Sequence, residues 1–247
     1  MPKGNYNKIL IKLSGEFLAD KNNNSISISS IDNIYQEIRS LRDSFKIQIS
    51  LVIGAGNIFR GDTSRQKERF KNFSFSRVPS DKAGMLGTVI NGMILADYFN
   101  QNNLPARVLS MVNIDFIEFF QAEKANEYLE KGFCLIFTGG TSNPYVSTDT
   151  AAVIKALEVD ADVLIKATKV DGVYDKDPHK YTDAKLFKRI DYKKAIEEKL
   201  QVMDLSAFSL AMENNLPIIV FNFSKKGCLK KILQGETLGT LIKGVSS

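Results

Sequence analysis

The 247-residue chain carries 44% hydrophobic and 25% charged residues, with a formal net charge of +5. This balance excludes a wholly disordered chain and is typical of a globular protein with a sizeable core. No apolar run approaches the roughly 18 residues that cross a membrane, and the N-terminal sequence lacks the apolar core of a signal peptide. We therefore expect a cytoplasmic protein without a membrane partner. The positive charge suits an enzyme that binds anions, and it also suits a nucleic-acid-binding protein.

Short runs rich in Ile, Val and Leu recur along the chain and predict strands. Their apolar character is unbroken rather than alternating, which is typical of strands covered on both faces in a parallel sheet. In chain order the predicted strands are Lys8–Leu13, Gln48–Ile53, Arg107–Leu109, Phe133–Thr138, Val163–Lys166 and Ile218–Asn222.

Helical periodicity fills most of the intervals between these strands. Apolar residues repeat at helical spacing from Ile31 to Phe45, with Ser29 or Ser30 as a cap. A longer helix is predicted from Met85 to Asp97, and we interpret its Met-containing apolar stripe as core. Later helices are predicted at Tyr192–Leu200, Asp204–Asn214 and Gly227–Gln234, after a turn-rich surface excursion at Val170–Asp191. The alternation predicts an α/β fold with an open, mostly parallel, doubly wound sheet and helices on both faces.

Cysteine and histidine usage narrows the possible chemistry. Cys134 and Cys228 form no Cys-x-x-Cys pair, which predicts buried, inert thiols. The single histidine, His179, falls in a polar loop, where a solvated side chain is expected. One histidine argues against a His-rich metal site and most Ser-His-Asp arrangements. Without an internal repeat or a Pro/Gly-rich linker, the chain is predicted to be a single domain over residues 1–247.

Four predicted strands end in glycine-rich or polar sequences. In open α/β sheets, ligands bind beyond the carboxyl ends of the strands. Glycine there lets a ligand approach the backbone amides, which form anion sites, while lysines and the Arg60 guanidinium supply positive charge. The junctions are Lys12–Gly15, Gly54–Gly61, Thr138–Asp149 and Lys166–Tyr174. Together they predict a site for phosphate groups and phosphoryl transfer.

The familiar phosphate-binding motifs are absent from the sequence. No Gly-Lys dipeptide occurs, so there is no P-loop. Phe59 stands where a Rossmann fingerprint needs its third glycine, and protein-kinase signatures are missing. The basic stretch Arg65–Lys71, followed by Phe73, Phe75 and Arg77, could stack and neutralise nucleic acid. We favour a solvated loop or lid there and expect no nucleic-acid partner.

The four junctions, by their order and spacing, resemble those of the amino-acid kinase superfamily and, within it, of the bacterial uridylate kinases. They are Lys12–Gly15, Gly54–Gly61, Thr138–Asp149 and Lys166–Tyr174. The resemblance extends to nearly the whole chain through Val202–Leu205, Phe221-Asn222 and Gly239–Ile242. It implies ATP-dependent phosphorylation of UMP to UDP by direct in-line transfer, in pyrimidine nucleotide biosynthesis. It also implies Mg²⁺ with ATP, a homohexamer, an acceptor-binding lobe at roughly 1–160, and an ATP-binding lobe at roughly 161–247 sharing one sheet.

The same resemblance implies roles for individual residues. The implied catalytic residues are Lys12, Arg60, Asp149 and Lys166, with Asp149 orienting the lysines or the Mg²⁺–nucleotide complex. The implied ATP-binding residues are Lys12, Leu13, Ser14, Gly15, Gly56, Arg60, Thr168, Tyr174 and Asp177. The implied UMP-binding residues are Ala55, Asp81, Thr141, Ser142, Asn143, Pro144, Tyr145, Val146, Ser147 and Thr148. The resemblance assigns no protein ligand to the metal, which the nucleotide phosphates would mainly hold, at a place that could be near Asp149.

Three departures from the family pattern surround the implied UMP pocket. Ala55 replaces the middle glycine of a triple-glycine turn, which would direct a Cβ to where phosphate approaches the backbone. The Asp81–Met85 block lacks the usual residues after its aspartate, and the segment between Arg60 and Asp81 is longer and more basic. Two alternatives stay open: a related kinase of a small carboxylate or carbamate, and a non-catalytic nucleotide-sensing or nucleic-acid-binding protein.

Overall fold

The computed structural model describes residues 6–20, 24–59, 75–198, 200 and 202–244. In chain order the strands are β1 (Lys8–Leu13), β2 (Gln48–Ile53), β3 (Ala106–Ser110), β4 (Glu118–Phe119), β5 (Cys134–Thr138), β6 (Val163–Thr168), β7 (Arg189–Ile190), β8 (Ile218–Asn222) and β9 (Thr240–Ile242). The helices are α1 (Ile28–Ser44), α2 (Arg77–Gln101), α3 (Ala122–Glu130), α4 (Thr148–Glu158), α5 (Tyr192–Glu197), α6 (Leu205–Glu213) and α7 (Cys228–Leu233), with a 3₁₀ turn at Gly15–Phe17.

The chain folds as two compact units. The first unit comprises Met1–Lys12, Gln36–Ile49 and Asp149–Ser247, and the second comprises Leu13–Tyr35 and Ser50–Thr148. These units divide the chain differently from the lobes expected at roughly 1–160 and 161–247, because the N-terminal strand joins the C-terminal half. The functional assignment of the lobes, and their sharing of one sheet, stays a prediction.

The strands of each unit are mostly parallel, as expected. In the second unit the order is β4-β3-β5-β2, with each neighbouring pair parallel. In the first unit the order is β1-β6-β8-β9-β7, and only β8 and β9 are antiparallel. Every residue of β1 from Ile9 to Leu13 is buried, which explains its unbroken apolar sequence. The α/β class with a mostly parallel sheet is confirmed.

The helix α2 differs most from its prediction. It begins at Arg77, eight positions before the expected Met85. The apolar pattern predicts a later start because the first two turns of the helix lack an apolar stripe. Met85 and Val89 are buried, whereas Leu86, Ile90 and Met93 are 51%, 45% and 42% exposed. The interpretation of the whole stripe as core is therefore wrong for the exposed residues. The buried side of α2 also carries polar side chains: Ser80, Thr88 and Asn91.

The predicted burial of the two cysteines and the predicted exposure of His179 are confirmed. Cys134 and Cys228 are free and buried, and burial raises the pKa of the Cys228 thiol. His179 is exposed in a turn. Within the described residues, no helix is both long enough and apolar enough to span a membrane.

Candidate active site

Two buried lysines share one carboxylate in the first unit. Lys12 and Lys166 are register partners on the parallel strands β1 and β6, so their side chains leave the sheet side by side. The Asp149 carboxylate, in the first turn of α4, lies between them. Its Oδ1 is 2.7 Å from the Lys12 Nζ, and its Oδ2 pairs with the Lys166 Nζ. Three of the four predicted catalytic residues therefore lie in contact.

The charges of this cluster are unequal, since two ammonium groups face one carboxylate. Burial alone would raise the pKa of Asp149, but the positive charges of Lys12 and Lys166 outweigh it and lower that pKa. Burial lowers the pKa of Lys166, and the like charge of Lys12 adds to this effect against the attraction of Asp149. The excess of one positive charge, held away from water, is an arrangement that attracts an anion such as a phosphoryl group.

Asp204 supports this cluster and had no role assigned from the sequence. Its Oδ1 accepts hydrogen bonds from the Thr150 hydroxyl at 2.8 Å and from the Ala207 N–H at 3.0 Å. It thus caps α6 and ties α6 to the first turn of α4, next to Asp149. Its charge also favours the protonated form of Lys166. The only sequence signal for Asp204 is its place in the Val202–Leu205 block.

In the second unit, the loop after β1 rests directly on the turn after β2. A Cβ on Gly15 would lie 2.3 Å from the Asn57 Oδ1 and 2.5 Å from the Gly54 carbonyl oxygen, so only glycine permits this approach. The Ser14 hydroxyl accepts from the Glu16 N–H and opens the 3₁₀ turn. Parts of two predicted phosphate-binding junctions, Lys12–Gly15 and Gly54–Gly61, are therefore packed together at Gly15 and at Gly54–Asn57.

A cavity of about 160 Å³ lies in the second unit, beside the N-terminal half of α2. Four residues predicted to bind UMP line it: Ala55, Asp81, Val146 and Thr148. Its other lining residues are Phe59 and Gly140, which lie in predicted glycine-rich junctions, and four residues of α2 without a predicted role: Ser80, Gly84, Met85 and Thr88. Several of these lie on the buried side of α2, where small and polar residues interrupt the apolar pattern that predicts the helix.

The methyl group of Ala55 packs against α2. A Cβ on Gly87 would lie 2.9 Å from the Ala55 Cβ, closer than two side chains can approach. Ala55 is buried, and Gly87 therefore makes the space that its methyl group occupies. The departure from a triple-glycine turn is accommodated by a glycine on the facing helix.

Asp81 holds the loop that follows β5. Its Oδ2 accepts a hydrogen bond from the Tyr145 N–H at 2.8 Å and pairs with the Arg77 Nε at 2.7 Å. The Arg77 guanidinium lies 5.3 Å from the centre of the Tyr145 ring. Tyr145 has a positive φ of 69°, a backbone conformation that side chains rarely adopt. Asp81 thus positions the predicted acceptor loop as well as lining the cavity.

The other predicted acceptor residues form the tip of that loop. The Asn143 N–H donates to the Thr141 Oγ1 at 3.3 Å, and Ser142 has a positive φ of 62°. Ser142, Asn143 and Ser147 are exposed and Pro144 is half-buried. The structure does not place Thr141–Tyr145 or Ser147 among the residues that line the cavity.

A second, larger cavity of about 530 Å³ lies in the first unit. It is lined mostly by the turn-rich excursion, together with Glu198, Leu200 and Val202, and the predicted ATP-binding residues Tyr174 and Asp177 are among its lining residues. Thr168, also predicted to bind ATP, does not line this cavity. Its hydroxyl donates to the Val170 carbonyl oxygen at 2.7 Å and holds the start of the excursion. The volume falls in the range of small-molecule sites, which span about 300–1,000 Å³.

Arg60 and the basic stretch from Arg65 to Phe73 lie outside the described residues. Their predicted roles stay predictions. In the part of the chain that is described, no group of three or more His, Cys, Asp or Glu side chains could hold a metal ion.

Comparison with known proteins gives the same family throughout. The model of the amino acid kinase family matches residues 7–222. A uridylate kinase from Buchnera aphidicola subsp. Schizaphis graminum (strain Sg) is 45% identical over 239 residues, covering 96% of this chain and 97% of the relative.

Solved structures agree with that match. The UMP kinase from Bacillus anthracis has a TM-score of 0.90 at 37% identity, covering 98% of this chain and 97% of that chain. The UMP kinase from Ureaplasma parvum has a TM-score of 0.87 at 30% identity, covering 97% of this chain and 100% of that chain. The chain belongs to the amino acid kinase family and, within it, to the uridylate kinases.

Proposed function

We propose that this protein transfers the γ-phosphoryl group of ATP to UMP, giving ADP and UDP in pyrimidine nucleotide biosynthesis. The observation that carries the proposal is the pair of buried lysines, Lys12 and Lys166, held on either side of the Asp149 carboxylate. The family relationship supports UMP as the acceptor, because the relatives and solved structures compared above are named uridylate or UMP kinases. Neither a carboxylate or carbamate kinase nor a non-catalytic protein is favoured by them.

Direct in-line transfer requires that the protein position the two nucleotides and supply positive charge, and it requires no nucleophile from the protein. An oxygen of the UMP phosphate attacks the γ-phosphorus of ATP, and the bond from that phosphorus to the β,γ-bridging oxygen breaks. The electron pair leaves with ADP. The Lys12 and Lys166 ammonium groups stabilise the charge that spreads over the transferring group, and Asp149 fixes their directions.

The residues of the cluster fit a magnesium ion that is held by the nucleotide. Both oxygens of Asp149 pair with lysines. The carboxylate is therefore engaged in orienting Lys12 and Lys166 and is not needed as a metal ligand. Mg²⁺ commonly binds through substrate phosphates and water with few protein ligands. When bound with ATP, it neutralises part of the phosphate charge.

The cavity beside α2 is the proposed acceptor pocket, and the cavity of the excursion is the proposed ATP pocket. Asp81, which lines the first cavity, supplies carboxylate oxygens suited to sugar hydroxyl donors. Thr148 lines the same cavity and precedes Asp149 directly in α4. In the second cavity, Tyr174 offers an aromatic ring and Asp177 an acceptor to a nucleoside.

We also propose a cytoplasmic homohexamer. The exposed apolar side chains of α2, Leu86, Ile90 and Met93, recur at helical spacing and support self-association.

The test is product analysis after incubation with ATP, Mg²⁺ and UMP. Equimolar ADP and UDP are expected from the wild type, and Lys12→Met should reduce kcat by about a hundredfold or more. The absence of UDP, or an undiminished rate for Lys12→Met, would contradict the proposal.

A further inference from the structure

A pair of amide side chains joins α2 to the turn after β2. Asn91 is fully buried in the middle of α2, and Asn57 is half-buried in the turn. The Asn57 Nδ2 donates to the Asn91 Oδ1 at 2.9 Å, and the Asn91 Nδ2 donates to the Asn57 Oδ1 at 2.8 Å. The two amides therefore bind each other reciprocally.

The remaining N–H groups of both amides bind backbone carbonyls. The Asn91 Nδ2 also donates to the Gly54 carbonyl oxygen at 2.8 Å, and the Asn57 Nδ2 donates to the Ser25 carbonyl oxygen at 2.7 Å. A carbonyl can only accept, so these contacts fix the orientation of each amide. All four N–H groups are used, so the network is fully satisfied at its buried member, Asn91, and at its half-buried member, Asn57.

This network holds the turn at both ends. Gly54 begins the turn and Asn57 ends it, so Ala55 and Gly56 lie between two residues that the network holds. The Gly15 loop rests on the same anchors, because a Cβ on Gly15 would collide with the Asn57 Oδ1 and the Gly54 carbonyl oxygen. A shift of the amide pair would thus move both phosphate-binding segments of the second unit.

We propose that Asn91 and Asn57 are positioning residues, which set the Gly54–Asn57 turn in the geometry that receives the phosphate of the acceptor nucleotide. Asn57 lies in the predicted Gly54–Gly61 junction, but no role was predicted for its side chain, and Asn91 lies in none of the predicted junctions. The inference rests on the proposed function for its kinetic test, because the acceptor is taken to be UMP. Its structural part, the fixing of the turn, stands on the hydrogen bonds alone.

Asn91→Asp is the sharpest variant, because it keeps the shape of the side chain and removes its donors. The Gly54 carbonyl then faces a carboxylate oxygen instead of an N–H group, and the turn should be displaced. Asn100→Asp is the matched control. Asn100 lies in the same helix, and its amide bridges the Ala106 N–H and carbonyl at 2.8 and 3.1 Å, at the end of α2 away from the turn.

The experiment measures kcat, the KM for UMP and the melting temperature of wild type, Asn91→Asp and Asn100→Asp. A merely unstable enzyme loses active molecules, which lowers kcat and leaves KM unchanged. We expect Asn91→Asp to raise the KM for UMP by about tenfold or more. Asn100→Asp should lower the melting temperature and leave KM within about twofold of wild type. An unchanged KM in Asn91→Asp, or an equal rise in both variants, overturns the proposal.

Asn57→Ala decides the question if Asn91→Asp does not fold. It breaks the pair at its half-buried member, leaves the Asn91–Gly54 bond in place, and should raise the KM for UMP likewise; an unchanged KM overturns the proposal.

A wild type without UMP turnover refutes the proposed function instead. In that case hydrogen exchange of the backbone amides at residues 54–59 decides. Faster exchange in Asn57→Ala than in Asn100→Asp supports the fixing of the turn, and equal exchange overturns it.

Discussion

Asp149 lies between two ammonium groups that would otherwise repel each other in a buried place. Its carboxylate sets the separation and direction of Lys12 and Lys166, so its charge matters more than its capacity to form hydrogen bonds. Asparagine has nearly the same shape and could keep one contact. It could not balance the charge of two neighbouring cations, and one lysine would lose its proton or move away.

We therefore expect Asp149→Asn to reduce kcat by about a hundredfold or more while ATP binding changes by less than about fivefold. Steady-state kinetics and equilibrium titration with ATP measure the two effects. Asp43→Asn is the control, since Asp43 pairs with Arg39 on the exposed side of α1. An unchanged kcat in Asp149→Asn would remove the residue from the catalytic machinery.

At the residue scale, the sequence could predict the groups that stand at strand ends. Lys12 and Lys166 follow apolar runs, and Asp149 follows a glycine-rich junction, so their common location could be inferred. Asn91 and Thr88 could not be found in this way, because a polar residue inside a helix usually faces water. Their burial depends on which side of α2 meets the turns, and that is decided by tertiary packing.

The contact between α2 and the turn after β2 depends on Gly87, which leaves room for the methyl group of Ala55. We expect Gly87→Ala to lower the free energy of unfolding by about 1–3 kcal/mol, through overpacking against Ala55. Adding Ala55→Gly should restore most of the loss, because the two positions share one space. Chemical denaturation of both single variants and the double variant measures the coupling.

Gly84→Ala provides the control for this experiment. Gly84 lies in the same helix, and a Cβ there would meet no atom within 4 Å. Alanine should stabilise the helix at that position by up to about 1 kcal/mol. Equal effects of Gly84→Ala and Gly87→Ala, or additive effects of Gly87→Ala and Ala55→Gly, would refute the shared space.

Tyr192 anchors the short helix α5 to the chain just before β8. Its ring is buried, and its hydroxyl donates to the Leu216 carbonyl. We expect Tyr192→Phe to lower the free energy of unfolding by about 1–3 kcal/mol, because the carbonyl loses its partner. The kinetic constants should change little, since Tyr192 lines neither cavity. Unfolding that matches wild type would contradict the anchoring role.

The same residue makes a prediction about pH. Burial raises the pKa of Tyr192 above its ordinary value of 10.0. The unfolded chain then loses this proton at a lower pH than the folded chain, so stability is fully present below pH of about 10 and falls as the pH rises further. Tyr192→Phe should show a shallower fall above that pH in denaturation curves. Parallel curves for the two proteins would contradict it.

At the scale of elements, the long buried strands were predictable and the short ones were not. β1, β2 and β8 have the predicted bounds, because a fully buried strand has an unbroken apolar sequence. β4, β7 and β9 have two or three residues, too few for a pattern. The sequence pattern predicts too late a start for α2, because the inner side of its first turns carries small and polar residues.

For the whole molecule, the exposed apolar side of α2 predicts association between copies. Wild type should have a mass near six times that of the 27.6 kDa chain. Ile90→Asp should reduce that mass, because a charge in an apolar interface lacks a partner. Light scattering coupled to size-exclusion chromatography measures both. A monomeric wild type would contradict the homohexamer, and an unchanged mass in Ile90→Asp would exclude this side of α2 from the interface.

The division of the chain into two units could not be predicted from the sequence. No linker marks it, and the unit that holds Asp149 and Lys166 takes its first strand from the N-terminal residues up to and including Lys12. The register of β1 and β6, which brings the two lysines together, depends on this long-range pairing. The family resemblance supplied the roles of these residues, and the fold supplies the physical reason why they meet.

The central claim is that the paired lysines serve phosphoryl transfer to UMP. The most direct test is the rate of ADP release with ATP and Mg²⁺ for UMP, CMP, N-acetylglutamate and carbamate, compared side by side. The account predicts a kcat/KM for UMP that exceeds each of the others by about a hundredfold or more. Equal or faster turnover of another acceptor, or no turnover of UMP, would contradict it.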